Sequence, residues 1–194
     1  MPRWEPDARA RFVVAALQLF TDQGYDDTTV AEIAERAGLT KSTFFRHFSD
    51  KREVLAAGQE TLSRLLADGI TAAPASATPL EAVGAGLAHA AATMTQFNRE
   101  LAPRLAAVIA SSSELQQRDA LKRVGMAAAM TDALRARGVP DPVASAAAEL
   151  GLLAFKEAFA AWVADESPTE SPTELADLMH GSLDRLRAAV SQLG

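Results

Sequence analysis

The chain has 194 residues, 48% of them hydrophobic, so it is long enough for one large or two small domains with buried cores. It contains no cysteine, which excludes a disulfide framework, a thiolate nucleophile and a Cys-ligated metal. The net charge is -6, yet residues 36–52 hold Arg36, Lys41, Arg46, Lys51 and Arg52 against Asp50 alone, a local basic cluster in an acidic chain.

The first residues show no apolar run of signal-peptide length, and the Ala-rich stretches are interrupted by charge, so no membrane span and a cytoplasmic location are expected. Strand-like alternation is absent, while helix starts and stops are frequent, which predicts an all-α chain. Nine helices are expected: about 7–23, 29–36, 40–46, 50–71, 79–97, 100–110, 112–137, 141–164 and 172–192. The first carries an apolar face of Phe12, Val13, Ala16, Leu17 and Phe20, and Gly24 stops it. Capping boxes are legible at Thr29-x-x-Glu32, Asp50-x-x-Glu53, Thr78-x-x-Glu81, Ser111-x-x-Glu114 and Ser171-x-x-Glu174. Linkers fall at 72–78 and 165–171, where Pro, Ser, Thr and acidic residues gather.

The helices at 29–36 and 40–46 are too short to be stable alone and must pack on their neighbours. Val30, Ile33, Ala34 and Ala37 face inward, and Leu39, Phe44, Phe48 and Leu55 complete a small core. The turn Ala37-Gly38-Leu39 has Gly where a positive φ is needed. Two helices joined by such a turn make a helix-turn-helix. Lys41, Ser42, Thr43, Phe45, Arg46 and His47 are left outward, beside free N–H groups at the Thr40 cap, and Lys51 opens the next helix. These residue types suit phosphate oxygens and base edges. The same pattern also describes an amphipathic hairpin with a solvated face.

The run Thr29-Val30-Ala31-Glu32-Ile33-Ala34-Glu35-Arg36-Ala37-Gly38-Leu39-Thr40-Lys41-Ser42-Thr43-Phe44-Phe45-Arg46-His47-Phe48, with Ala15 to Tyr25 upstream and Asp50 to Leu55 downstream, resembles the DNA-binding domain of the TetR family. The resemblance covers residues 8–55. It implies a homodimer that sets its third helix into the major groove of double-stranded operator DNA. Lys41 would stand near the groove floor, Thr43, His47 and Lys51 would meet phosphates, and Thr29 would cap toward the backbone. The family usually has Tyr at position 45, so Phe45 lacks a hydroxyl contact. The domains expected are 1–55 for DNA, with its fourth helix continuing to about 71, and 56–194 for ligand binding and dimerisation.

The second domain is less legible. Ala147, Leu150 and Ala154, with Leu175, Leu178 and Leu186, form faces that suit a dimer interface, the core of one chain being the alternative. His89, Met94, Phe97, Met126, Met130, Phe155, Phe159 and Trp162 could line a pocket for a small molecule, or serve as core. The Phe-Phe-Arg-His-Phe form is similar to a subgroup with acyl-CoA-like ligands, which implies a hydrophobic or acyl-CoA-like effector. No Gly-rich phosphate loop, nucleophile elbow or local metal spacing is present, so no catalytic residue, metal or cofactor is assigned. The function expected is a ligand-responsive repressor. The alternatives are a ligand-insensitive or activating regulator of the same fold, and a helical interaction protein with a vestigial motif.

Overall fold

The computed structural model describes residues 8–56, 59–165 and 172–192. Among them every regular element is a helix: α1 (Ala8–Gln23), α2 (Val30–Arg36), α3 (Lys41–His47), α4 (Lys51–Ala56), α5 (Gln59–Ala72), α6 (Pro79–Ala91), α7 (Gln96–Ala110), α8 (Ser113–Ala136), α9 (Asp141–Ala164) and α10 (Pro172–Val190). The all-α class is as expected. The single helix expected over 50–71 is described as α4 and α5, and residues 57 and 58 between them lie outside the described residues. So does Ser171, the cap expected before α10.

Local chemistry accounts for most ends. Thr29 and Thr78 each accept from the N–H three residues on, while Glu32 and Glu81 accept from the cap N–H, so both capping boxes form. Gly24, Gly38 and Gly138 have φ of 91°, 64° and 84° after α1, α2 and α8, where a side chain would be strained. Other ends differ from expectation. The helix expected to run to 97 stops at Ala91, and α7 starts at Gln96. The new start is a cap in which Thr95 donates N–H (2.9 Å) and Oγ1–H (3.0 Å) to Asn98 Oδ1. α8 begins at Ser113, so Ser111 is not its cap and instead donates to the Val108 carbonyl. Asp141 is the first helical residue of α9, and its carboxylate pairs with Arg135 at 2.8 Å.

The chain divides into two compact units, Met1–Gly58 with Leu101–Asp119, and Gln59–Glu100 with Ala120–Gly194. The division expected at 55/56 therefore needs correcting. Residues 101–119 belong to the first unit because Val108 and Leu115 are buried in its core. That core is aromatic: Phe12 meets Phe44 edge-on at 5.2 Å and Phe48 at 6.1 Å, and all three are fully buried with Ile33. Burying one such ring contributes roughly 1.5–3 kcal/mol, enough to hold two seven-residue helices that could not persist alone.

In the second unit α6 packs on α5, α9 and α10. The α5–α6 crossing is close because glycines meet there. A Cβ on Gly69 would lie 2.7 Å from the Cα of Gly86, and one on Gly86 would lie 2.6 Å from the Leu66 carbonyl oxygen. Around this crossing Leu66, Ile70, Val83, Leu87, Met130, Leu134, Leu175 and Met179 form the core. Arg137 closes the end of α5 by donating to the carbonyls of Ile70 (3.2 Å), Ala73 (2.8 Å) and Pro74 (2.6 Å).

Candidate nucleic-acid interface

α2 and α3 are held by their inner faces, and this decides which side chains face out. Ile33 and Phe44 are 0% exposed, so rotation about either helix axis would expose an aromatic or branched side chain. Arg11 Nη2 donates to the carbonyl of Ala37 (2.5 Å) and more weakly to that of Gly38 (3.5 Å), which ties α1 to the turn between the two helices. Thr40 caps α3: its Oγ1 accepts from Thr43 N–H at 3.1 Å and shares a hydrogen bond with Thr43 Oγ1 at 2.9 Å. Lys41, Ser42, Phe45 and Arg46 are exposed on α3, with Thr43 and His47 half-buried beside them. His47 turns toward Phe12, with ring centroids 6.2 Å apart. Phe45 is 57% exposed and meets Phe44 edge-on at 5.5 Å.

The basic cluster of the sequence is largely consumed internally. Arg36 lies 3.7 Å from Asp22. Arg52 lies 2.5 Å from Asp50 and 3.8 Å from Glu114. Its hydrogen bond holds the Asp50 carboxyl below the usual carboxylate range. Lys51, expected at a phosphate, is turned the other way. Its Nζ donates to the backbone carbonyls of Tyr25 (2.6 Å), Thr28 (2.9 Å) and Asp26 (3.0 Å), and lies 4.5 Å from the centre of the Tyr25 ring. Lys41 and Arg46 are left as the outward cations of α3, and Arg46 reaches Thr43 Oγ1 at 3.4 Å. Thr29 is exposed, but its hydroxyl donates to Glu32 at 2.7 Å.

Tyr25, Arg11 and Arg9 escaped sequence reasoning. Tyr25 is buried with an unpartnered hydroxyl, and burial first, then Glu114, pushes its phenol up to about 12. Arg9 lies over the Phe48 ring at 5.2 Å. No local pattern marks such residues, because their partners stand far along the chain.

Of the pocket residues expected in the second unit, Met126, Met130 and Trp162 are buried in its core, whereas His89 is exposed. Met94, Phe97, Phe155 and Phe159 are half-buried. Phe155 and Phe159 stack with centroids 5.7 Å apart, and Phe159 leans on Trp162 at 5.6 Å. Arg99, nearly buried, lies 5.7 Å from the Trp162 ring and donates to the Asp165 carbonyl. The expected dimer face also needs correcting: Ala147, Ala154 and Leu175 are 4%, 0% and 0% exposed within the single chain, so they are core. Leu150, Leu178 and Leu186 pack partly against that core.

Residues 12–57 match the family model for bacterial regulatory proteins of the tetR family. That stretch is similar to the DNA-binding domain of the TetR family. Among curated relatives the chain is 37% identical over 75 residues to the HTH-type transcriptional regulator TcmR of Streptomyces glaucescens, covering 39% of this chain and 33% of TcmR. It is 35% identical over 121 residues to the transcriptional regulator BetI of Rhizobium meliloti, covering 62% and 58%. The chain thus matches from a third to under three-fifths of the length of these relatives. The fold is shared with the SmeT–triclosan complex, SmeT being the repressor of a Stenotrophomonas maltophilia multidrug efflux pump. That TM-score is 0.57, at 22% identity, over 95% of this chain and 91% of SmeT. The relatives are transcription regulators, not enzymes. No described helix is long and apolar enough to cross a membrane.

Proposed function

We propose that this chain is a transcription regulator that binds double-stranded operator DNA as a homodimer and releases it when a small molecule binds in the second unit. The observation that carries the DNA reading is the outward face of α3. It sets Lys41, Ser42, Phe45 and Arg46 on a helix whose pose is fixed by Phe44, inside the stretch that matches the TetR model. Lys41 and Arg46 suit guanine edges or phosphates, Phe45 suits a thymine methyl, and Ser42 allows close approach. Thr43 and His47 flank them as phosphate contacts. A DNA target makes the cytoplasm the working compartment.

Selection of duplexes from a randomised pool by the full chain tests this reading. Enriched duplexes should share an inverted repeat, and affinity should fall steeply between about 50 and 200 mM salt, because neutralised phosphates release counterions. Lys41→Gln should weaken binding and flatten that dependence by about 0.9 for each phosphate the chain no longer neutralises. Failure of any duplex to be enriched at low salt would sink the DNA reading.

For the effector, the half-buried aromatics Phe97, Phe155 and Phe159 with Met94 are the favoured lining, beside the cation of Arg99. This lining suits an apolar molecule, such as the acyl part of an acyl-CoA-like effector. It would act through unequal affinity for the DNA-bound and free states.

A further inference from the structure

We propose that Lys51 is a positioning residue, which fixes the start of α2 through the backbone of the preceding turn and does not itself bind phosphate. This deepens the DNA-binding reading and rests on it for its consequence, though not for its geometry. An ammonium group has three N–H donors. In Lys51 all three point at carbonyls of one turn, those of Tyr25, Asp26 and Thr28 at 2.6, 3.0 and 2.9 Å. The Tyr25 ring beneath adds a cation–π contact at 4.5 Å.

The turn is also held by the burial of Tyr25 and Thr28 and by Gln23 Nε2, which donates to the Asp27 carbonyl at 3.3 Å, but no other described side chain binds the Tyr25, Asp26 and Thr28 carbonyls together. Thr28 N–H reaches the Tyr25 carbonyl at 3.4 Å, and Thr28 Oγ1 donates to the Gly24 carbonyl at 2.7 Å. Without the ammonium, the carbonyls of Tyr25, Asp26 and Thr28 would converge with only the long Thr28 N–H contact to Tyr25 among them. Thr29, one residue on, caps α2, and α2 carries the turn that presents α3. A shift in residues 25–28 is therefore passed to Lys41 and Arg46.

A Lys whose donors are all spent on backbone has none to offer a phosphate without releasing the turn. The two roles predict opposite behaviour from a conservative change. Arg keeps the charge and serves a phosphate at least as well, whereas its planar fork cannot fill a three-carbonyl cradle made for a tetrahedral ammonium. Positioning predicts that Lys51→Arg and Lys51→Met both lose affinity, by about tenfold or more, the size of one charged hydrogen bond. The loss should fall on selected duplexes and spare random ones, with the salt slope unchanged.

The experiment measures three chains, wild type, Lys51→Arg and Lys51→Met, by two readouts. The first is hydrogen exchange of the free protein over residues 24–33. The second is duplex affinity from about 50 to 200 mM salt, on the duplex selected by wild type and on a random one. Faster exchange in this segment for both variants, with the rest of the chain unchanged, is expected. Exchange equal to wild type overturns the proposal whatever the DNA data show. Full binding by Lys51→Arg, or a slope flattened by about 0.9 with equal weakening on both duplexes, also overturns it and restores the phosphate contact. If Lys51→Met does not fold, Lys51→Arg alone still separates the two roles. If wild type binds neither duplex, the DNA reading has failed while the exchange readout still judges the clamp.

Discussion

Phe45 is the residue at which recognition chemistry is least conventional. A ring 57% exposed gives up most of the burial that its neighbours Phe44 and Phe48 obtain, so folding alone does not account for it. On the outward face of α3 it can recover that burial against a thymine methyl or a sugar. Phe45→Ala should then leave stability to denaturant nearly unchanged while lowering affinity and relaxing the preference for thymine at one position. Phe45→Tyr, which restores the hydroxyl common in the TetR family, should tighten binding severalfold, since one neutral hydrogen bond is worth about 1 kcal/mol. The salt slope should not move, because no charge is added. Equal affinity and preference for all three chains would place Phe45 outside the interface. Phe45, Lys41 and Arg46 were legible as outward residues because burial periodicity is local. The destination of Lys51 was not, because its carbonyl partners lie 23 to 26 residues earlier and any chain supplies carbonyls. Arg11 on the Ala37 carbonyl and Arg137 on those after α5 are hidden in the same way.

Among the elements, α2 has only seven residues and must keep a fixed pose, and its cap is its chief local support. Hydrogen bonds from Thr29 hold the Glu32 carboxyl below its ordinary range. A carboxylate with a depressed folded-state pKa stabilises fully above its unfolded value, about 4.3 for glutamate, and loses that contribution as pH falls through the lowered value. Acidification from about pH 5 to 3 should therefore loosen α2, and Glu32→Gln, which keeps an acceptor but cannot titrate there, should remove this part of the acid response. Hydrogen exchange of the Ile33 and Ala34 amides as a function of pH reads it directly. Identical pH profiles in the two chains would mean that the box is not what acid breaks. Boxes of this kind explain why the starts of α2 and α6 could be read from Thr29 and Thr78, and a simple Thr40 cap marks α3. The start of α7 could not, because Asn98 does the work that the pattern assigns to Glu. Nor did caps reveal that residues 101–119 join the first unit, since that rests on the burial of Val108 and Leu115 beside residues far away in sequence.

At the scale of the whole molecule, the proposed homodimer needs a surface that brings two chains together. The small residues of α9 that would suit that role, Ala147 and Ala154, point into the chain's own core. What α9 leaves outward is Val143 at 47% and Leu153 at 40% exposure, with exposed Ala146 and half-buried Leu150 between them at spacings of three, four and three. That spacing keeps the four on one helical face, a stripe about 15 Å long at roughly 1.5 Å per residue. A stable interface buries about 800 Å² per partner, so this stripe needs support from α10, which packs on α9 and exposes Val190. Two-fold symmetry would place each Leu153 close to the same face of the partner chain, where a charge is desolvated twice in one contact. Leu153→Glu should therefore convert a dimer to a monomer in sedimentation velocity without lowering the stability of the single chain, because the side chain is already partly in water. Affinity for a duplex with two half-sites should fall to that for one half-site, since the second head no longer arrives with the first. Ala147→Glu is the internal contrast: it should unfold the second unit, because it forces a carboxylate into a fully packed core. A Leu153→Glu chain that stays dimeric would show that this face of α9 is free surface, and the interface would have to be sought elsewhere.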